Sequence, residues 1–226
     1  MVKSDGDALI AEQIAYYRAR APEYDATFRG AHEPPLVAAL DAFAPAGSVL
    51  ELAAGTGAWT GSVLRHPVSR LVAVDASPEM LDLLAGHIDD PRVERRVVDL
   101  FAWEPDELFD VVTFAFWLSH VPPARLPEFW GKVGRALRPG GRVLFVDQDR
   151  RGMTFEAPSA DPDYPTVERT LTDGRVMRAI KVYHPAQKLE ELLRELGWEA
   201  AVRPVGDGFL VGVAAGPARG ETPGRK

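Results

Sequence analysis

A glycine-rich turn between an apolar strand and a helix is the feature that most constrains this chain. Residues 48–52 (Ser-Val-Leu-Glu-Leu) predict a strand, and Ala-Ala-Gly-Thr-Gly follows at 53–57. Glycines in such a turn let a ligand approach the backbone, and the next helix offers free N–H groups at its N-terminus. A plain tight turn explains the same residues, so the motif is a weak signal without its context.

Alternating strands and helices on either side of this turn predict βαβ units and a parallel sheet. The run at 109–116 is apolar except for Asp110 and Thr113, which indicates a strand buried on both faces. The other strands predicted here cover 70–75, 93–98 and 142–147, and the helices cover 7–20, 35–43, a segment beginning at Ser77-Pro78, and 127–137.

The pattern changes after residue 150. Residues 150–165 are rich in proline, glycine and charge, and we expect a mobile loop there. Strands predicted at 167–171 and 176–183 flank Asp173-Gly174, a dipeptide typical of hairpin turns. The remaining expectations are a helix over 185–196, two antiparallel strands over 199–205 and 209–215, and a disordered tail over 217–226.

Composition excludes several classes of protein. The 226 residues are 46% hydrophobic and 26% charged, which suits one globular domain with a full core. The net charge of −7 gives no field that would attract nucleic acid or an anionic membrane. The lack of cysteine and the scattered histidines offer no metal-ligand set. We see no signal peptide or membrane span, so we expect a cytoplasmic protein without metal, nucleic-acid or membrane partners.

Two acids at the ends of the following strands point to an adenosine ligand. Asp75 ends the second strand, 18 residues after Gly57, where a carboxylate can hold both hydroxyls of a ribose. Asp99 ends the third strand, where a carboxylate can accept from an adenine amino group. Each acid alone is as often a cap or a loop residue. Three such features at consecutive strand ends, however, line one crevice of a parallel sheet.

The turn departs from the nicotinamide-dinucleotide fingerprint. That fingerprint, G-x-G-x-x-G, needs a third glycine which this turn lacks. Glu51 also precedes the turn, where a carboxylate repels a pyrophosphate and suits a cationic amino group. The ligand we expect is therefore an adenosine joined to an amino acid.

Three further stretches complete a known pattern: Asp99-Leu100, Phe109-Asp-Val-Val-Thr113 and Leu137-Arg-Pro-Gly-Gly-Arg-Val143. Together with the glycine turn and Asp75, they resemble the class I S-adenosylmethionine-dependent methyltransferases. The resemblance implies a Rossmann-like α/β fold with a mostly parallel seven-stranded sheet and a β-hairpin inserted after the fifth strand. The single domain expected over 1–216 comprises a helical lid (1–45), a cofactor-binding core (46–147), a loop and substrate hairpin (150–183), and a closing helix and strands (184–216).

The resemblance also implies S-adenosylmethionine as cofactor and S-adenosylhomocysteine as product. Glu51 would organise the methionine amino group, and Asp75 would take the ribose hydroxyls. Ala53 stands where the family usually has its first glycine, which is tolerable if that position needs no positive φ. The full set of cofactor-binding residues expected is Tyr16, Glu51, Ala53, Gly55, Gly57, Asp75, Ala76, Met80, Asp99, Leu100 and Phe114.

Residues outside this set are candidates for the methyl acceptor. His120 follows the fourth strand, where a neutral imidazole can act as a base or serve a structural role. A similar tyrosine-bearing N-terminal segment folds over the cofactor in many small-molecule members of the family. We therefore assign His120 and Tyr24 to catalysis. The substrate-binding residues expected are Tyr17, Trp117, Arg169, Arg178 and Lys181.

The predicted hairpin carries four cations in an acidic chain: Arg169, Arg175, Arg178 and Lys181. They form either a solvated face or an inward face that needs an anion. A two-residue turn would pair Arg169 with Arg178, whereas a bulged three-residue turn would put Arg169 and Lys181 on one face. The sequence leaves this register open.

A narrower resemblance bears on these cations. Stretches along the whole chain, among them Tyr16-Tyr-Arg-Ala-Arg-Ala, Trp117-Leu-Ser-His-Val-Pro and Lys181-Val182, are similar to phosphonate O-methyltransferases of the dehydrophos type. The similarity implies that Arg169 and Lys181 hold a phosphonate, together with a tyrosine from the N-terminal segment.

These patterns predict an O-methyltransferase of secondary metabolism that acts on a small anionic metabolite, as a monomer or a homodimer. A phosphonate or carboxylate oxygen is already anionic, so in-line transfer would depend on positioning alone. Two alternatives stay open. One is O- or N-methylation of a phenolic or amine natural product with His120 as base, and the other is a non-catalytic S-adenosylmethionine-binding protein.

Overall fold

The computed structural model describes residues 5–27, 30–150 and 158–216. The expected disordered tail, and residues 151–157 of the expected mobile loop, lie outside the described residues. The helices are α1 (Asp5–Arg20), α2 (Tyr24–Thr27), α3 (Pro34–Phe43), α4 (Ala58–Val63), α5 (Pro78–His87), α6 (Leu126–Ala136) and α7 (Ala186–Glu195). The strands are β1 (Gly47–Leu52), β2 (Val68–Asp75), β3 (Val93–Val97), β4 (Phe109–Ala115), β5 (Leu137–Gln148), β6 (Thr166–Thr170), β7 (Val176–Ile180), β8 (Glu199–Val205) and β9 (Phe209–Ala215).

Seven strands form one mixed sheet in the order β3-β2-β1-β4-β5-β9-β8. The first five strands of the chain pair in parallel, and β9 pairs antiparallel with both β5 and β8. A separate two-stranded sheet, β6-β7, lies between the fifth strand and the closing helix in the sequence. The predicted fold class is therefore confirmed.

The strand order locates the site. From β1 the chain proceeds outward to β2 and β3, and then returns to the other side of β1 to form β4 and β5. Ligands of open parallel sheets bind outside the carboxyl ends of the strands at such a reversal. The ends of β1, β2 and β4 are therefore the positions where a bound molecule is expected.

The fifth strand begins earlier than the sequence predicts. The residues Pro139-Gly140-Gly141 were expected to separate helix from strand, with the strand beginning at Arg142. Instead β5 begins at Leu137, which pairs with Phe109, and Arg142 pairs with Val111. The register shifts between Phe109 and Val111, so the proline and glycines are accommodated as an irregularity within the strand.

An aromatic core packs beneath one face of the sheet. The Phe114 ring stacks on Phe145 with centroids 5.4 Å apart and meets Trp130 edge-on at 5.8 Å. Phe114 is fully buried there, which corrects the expectation that its side chain contacts the cofactor. Side chains alternate along a strand, so Phe114 faces this core and Ala115 faces the other way. Ala115 lines the cleft, as does Phe116, which lies just past the strand end with φ +58.

The hairpin adopts the bulged register. Arg169 pairs with Met177, so the two-residue alternative that pairs Arg169 with Arg178 is wrong. The N–H of Leu171 bonds to the C=O of Arg175 at 2.9 Å, which leaves a three-residue loop ending at Gly174 with φ +86. A positive φ at that position favours glycine, and the bulge shifts the register by one residue.

This register turns the hairpin cations in opposite directions. Arg169 and Lys181 face the inside of the molecule, and Lys181 is only 2% exposed. Arg178 faces outward and pairs with Glu12 of α1 at 2.7 Å. The structure therefore places Arg178 in an exposed helix–hairpin ion pair rather than at the substrate. Within the described ranges, no helix is long and apolar enough to cross a membrane.

Candidate active site

A cleft opens at the carboxyl ends of β1, β2 and β4, the place where ligands of open parallel sheets bind. Its lining contains many of the residues singled out from the sequence: Tyr17, Tyr24, Ala53, Asp75, Ala76, Met80, Asp99, Leu100, Trp117 and His120. It also contains residues that sequence reasoning missed: Gln13, Ile14, Ser77, Phe101, Ala115 and Phe116.

The glycine turn that follows β1 runs along this cleft. Ala53 has φ +53 and Gly55 has φ +55, so both residues lie in the left-handed region. We expected alanine to be tolerable at position 53 if that position needs no positive φ. The position does need a positive φ, so the alanine is strained. An alanine held there stores about 1 kcal/mol of backbone strain.

Asp75 is held at the end of β2 by the backbone of two neighbouring segments. One carboxylate oxygen accepts from the N–H of Gly55 at 2.9 Å, and the other accepts from the N–H of Ser77 at 2.9 Å. Ser77 in turn caps α5 by accepting from the N–H of Met80. Burial raises the pKa of Asp75 despite these bonds. The carboxylate is therefore fixed in the cleft, where a ribose diol would meet it.

Glu51 is a buried carboxyl group with an unmet need for a partner. It is 1% exposed, and its Oε2 accepts no hydrogen bond from any residue of the described ranges. Burial raises its pKa to about 8, and Asp75 nearby adds to the effect. A buried carboxyl with one unpartnered oxygen, beside a glycine turn, fits the ammonium group of an amino-acid ligand. The residues present thus fit S-adenosylmethionine.

Asp99 and its neighbours form the far end of the cleft. Its Oδ1 accepts from the N–H of Phe101 at 2.9 Å, which orients the exposed carboxylate. The Phe101 ring lies 5.4 Å from that of Trp117, and buried Leu100 and Met80 line the same cleft. These flat and apolar side chains suit a purine ring with one polar edge.

The lining of the cleft also contains a hydrogen-bonded pair, Tyr17 and His120. The Tyr17 hydroxyl lies 2.8 Å from Nε2 of His120, and Nδ1 of His120 lies 2.7 Å from the C=O of Ile180. A carbonyl only accepts, so Nδ1 bears the proton and Nε2 accepts from Tyr17. Arg169 then donates to the Tyr17 oxygen at 3.2 Å. This chain of bonds links the hairpin to α1.

His120 is kept neutral by its surroundings. Burial lowers its pKa well below the usual value, and the charges of Lys181, Arg169 and Arg20 lower it further, against an opposing effect of the Ile180 carbonyl. A positive charge on this ring would face three other positive charges. Its neutral form is therefore the one present near pH 7.

Lys181 and Tyr16 lie behind the cleft lining. The Lys181 amino group donates to Ser119 Oγ at 3.1 Å and to Gln148 Oε1. Tyr16 is 2% exposed and packs with Leu171 of the hairpin, while its hydroxyl accepts from Arg20 at 2.8 Å. The structure thus places Tyr16 in the contact between α1 and the hairpin, which corrects its assignment to the cofactor.

Comparison with known proteins agrees with this geometry. Residues 49–141 match a family described as a methyltransferase domain. A structure titled as a complex of DhpI with SAM and HEP is 42% identical and has a TM-score of 0.84, covering 95% of this chain and 100% of that one. A complex of DhpI with SAH is 40% identical and has a TM-score of 0.77, covering 96% of this chain and 100% of that one.

Two curated relatives match the core of the chain. A polyamine aminopropyltransferase of Pyrobaculum aerophilum is 35% identical over 50% of this chain, and an uncharacterized methyltransferase of Mycobacterium bovis is 35% identical over 48%. The chain spans 43% of the length of each. The full-length likeness to DhpI carries the assignment: the chain belongs to the S-adenosylmethionine-dependent methyltransferases.

Proposed function

We propose that this chain transfers a methyl group from S-adenosylmethionine to an oxygen of a small anionic acceptor, a phosphonate or a carboxylate. The observation that carries this proposal is the concentration of positive charge at the Tyr17–His120 end of the cleft. Lys181, Arg169 and Arg20 all act on the His120 ring. An anion bound there is stabilised by the three charges, whereas a neutral acceptor gains no such attraction.

The state of His120 favours an acceptor that needs no base. Both ring nitrogens already have hydrogen-bond partners, and the nearby charges oppose protonation of the ring. A phenol or an ammonium acceptor must lose a proton to become a nucleophile, and an imidazole with a strongly lowered pKa accepts that proton poorly. A phosphonate or carboxylate oxygen is already anionic at pH 7.

The residues of the chain then contribute orientation and exclusion of water. S-adenosylmethionine supplies an electrophilic methyl group on a sulfonium. Arg169 and Lys181 hold the acceptor anion where Tyr17 and His120 line the cleft, so that its oxygen faces the methyl group. Tyr17 and Tyr24 on the N-terminal segment line the cleft from above, where they keep water out. Positioning of this kind accounts for large rate enhancements without a proton transfer.

The likeness to DhpI supports a small-molecule acceptor bound beside the cofactor. One DhpI structure is titled as a complex with both SAM and HEP, so that protein binds the two molecules together. The resemblance to phosphonate O-methyltransferases includes the hairpin with Arg169 and Lys181. The structure of this chain gives those two residues the same inward face.

The test is the release of S-adenosylhomocysteine on a panel of small phosphonates, carboxylates, phenols and amines. We expect turnover on a phosphonate or a carboxylate, with the KM for that acceptor raised about tenfold or more by Arg169→Ala or Lys181→Met, since each removes a charged hydrogen bond. Arg178→Ala is the matched control, because this arginine lies on the outer face of the same hairpin.

Three outcomes would contradict the proposal. Turnover confined to neutral phenols or amines would exclude the anionic acceptor. Equal effects of Arg169→Ala and Arg178→Ala would show that the hairpin merely needs its charges for stability. Tight binding of S-adenosylhomocysteine without turnover on any acceptor would favour a non-catalytic binding protein.

A further inference from the structure

The side chain of Gln13 connects three parts of the acceptor site. It lies on α1, one helical turn before Tyr17, and is 2% exposed. Its Nε2 donates to the C=O of His120 at 3.2 Å, and its Oε1 accepts from the N–H of Ile180 at 2.9 Å. Both partners are backbone groups, one only an acceptor and one only a donor. The orientation of the amide is therefore fixed.

These two bonds form a closed ring with a third hydrogen bond, the one that fixes which nitrogen of His120 bears the proton. The C=O of Ile180, on the same residue that Gln13 holds, accepts from His120 Nδ1 at 2.7 Å. Gln13 thus bonds to the backbone of both ends of the imidazole–carbonyl contact. If the Ile180 carbonyl turned away, Nδ1 would lose its acceptor and the proton would no longer be held on that nitrogen.

The same ring of hydrogen bonds also positions Lys181. Its preceding residue, Ile180, is bound to Gln13 and His120, and its following residue, Val182, donates from its N–H to the C=O of Ser119 at 2.8 Å. Lys181 is therefore anchored on both sides to the segment that contains His120. The lysine and the histidine cannot separate while these bonds persist.

We propose that Gln13 is a positioning residue of the acceptor site, which holds His120 as the Nδ1-protonated tautomer and keeps Lys181 beside it. This tautomer fixes which of the neighbouring groups donate hydrogen bonds and which accept them. With Nδ1 protonated, Nε2 accepts a hydrogen bond from the Tyr17 hydroxyl, and the Tyr17 oxygen offers its lone pairs to Arg169 and to the cleft. Arg169 and Lys181, not Tyr17, are then the donors to an anionic acceptor. This inference deepens the proposed function and rests on it.

Gln13→Glu would keep the shape of the side chain but change its hydrogen bonds. The ionised carboxylate only accepts, so Gln13→Glu retains the bond from the Ile180 N–H and loses the donor to the His120 carbonyl. Protonation of the introduced carboxyl group restores one donor and one acceptor. Gln13→Met fills similar space with neither. Glu12→Gln is the control, since it weakens the exposed contact of α1 with Arg178 on the same helix.

The experiment is ¹⁵N spectroscopy of the histidine imidazoles in the complex with S-adenosylhomocysteine, with His120 assigned from the His120→Asn spectrum. We expect wild type and Glu12→Gln to show a single neutral tautomer, protonated at Nδ1. Gln13→Met is expected to show a mixture of tautomers, and Gln13→Glu to recover the single tautomer as the pH falls. A single Nδ1 tautomer in Gln13→Met at every pH would overturn the proposal.

A kinetic measurement completes the test once an acceptor is found. We expect Gln13→Met to raise the KM for the acceptor about tenfold, since Lys181 is displaced, to lower kcat less than tenfold, and to change the affinity for S-adenosylhomocysteine less. Equal rises of KM in Gln13→Met and Glu12→Gln would mean general loosening of α1 and contradict the proposal. The tautomer spectra need no acceptor, so a failure of the proposed function alone would leave their result intact.

Discussion

Glu51 lies next to Asp75 of the adjacent strand, and its pKa is raised chiefly by burial, with a smaller rise from the charge of Asp75 and an opposing effect of Thr60. We expect the two acids to serve different parts of one ligand, a diol and an ammonium. Asp75 is satisfied by backbone N–H groups in the structure, whereas Glu51 has a free oxygen among the described residues. A cation bound next to Glu51 would stabilise its buried carboxylate and give its free oxygen a partner.

Cofactor binding should therefore release a proton. With its pKa at about 8, Glu51 is protonated at pH 7 in the cofactor-free protein. An ammonium group beside it favours the carboxylate, so we expect release of up to one proton when S-adenosylhomocysteine binds at pH 7. Titration calorimetry in buffers of different ionisation enthalpy measures that number. In Glu51→Gln we expect no release and an affinity about tenfold weaker.

The same group gives a pH dependence to stability without cofactor. Its folded pKa is raised from 4.5 to about 8, so the folded chain holds a proton that the unfolded chain loses above pH 4.5. The free energy of unfolding should then decrease as the pH rises from about 4.5 to 8. Urea denaturation at several pH values checks this, and Glu51→Gln should flatten the decrease. An unchanged slope in that variant contradicts the assignment.

His120 should contribute a pH dependence of the opposite sign. The unfolded chain takes up a proton at this residue near pH 6.5, whereas the folded chain resists it because its pKa is lowered. The contribution of His120 to the free energy of unfolding therefore falls as the pH drops below about 6.5. We expect His120→Asn to reduce this acid sensitivity, and His32→Asn, at an exposed histidine, to reduce it less.

The activity of His120→Asn separates the two roles considered for this residue. If the acceptor is already anionic, the loss in kcat should stay below about tenfold, and the pH–rate profile should keep its shape between pH 6 and 8. A general base contributes about 10²–10⁴-fold, so a loss of that size would show that His120 acts as a base. The measurement is the rate of S-adenosylhomocysteine release with saturating acceptor across that pH range.

The sequence was sufficient for the parts of the site that local patterns determine. Strand ends follow from apolar runs, so Asp75 and Asp99 were placed at one edge of a parallel sheet, and both line the cleft. Phe114 was misassigned because an apolar run buried on both faces does not show which face each residue takes. Only the packing against Trp130 and Phe145 shows its direction.

The parts that were missed depend on contacts between distant segments. Gln13 binds His120 and Ile180, which lie more than a hundred residues away in the chain. Its one local signal is the spacing of four residues from Tyr17, which places both on one face of α1. The hairpin register was equally undetermined, since Asp173-Gly174 fits either turn, and the hydrogen bonds across the loop decide between them.

The backbone at position 53 gives the last prediction. Ala53 has φ +53, a conformation that disfavours alanine, and glycine adopts it without strain. We expect Ala53→Gly to raise the free energy of unfolding by about 0.5–1 kcal/mol, although the same substitution elsewhere usually lowers it. Gly55→Ala is the matched control at φ +55, where an added methyl group meets nothing within 4 Å. Backbone strain alone should lower its stability, by about 1 kcal/mol.

Urea denaturation with and without S-adenosylhomocysteine measures both changes. Ala53 lines the cleft, so the gain in Ala53→Gly should persist when the ligand is bound if the turn keeps its conformation. A decrease in stability for Ala53→Gly, equal to that of an ordinary alanine-to-glycine change, would show that the turn relaxes around the alanine. Opposite signs for the two substitutions, at neighbouring positions with nearly the same φ, would establish that the left-handed backbone is a requirement of the turn.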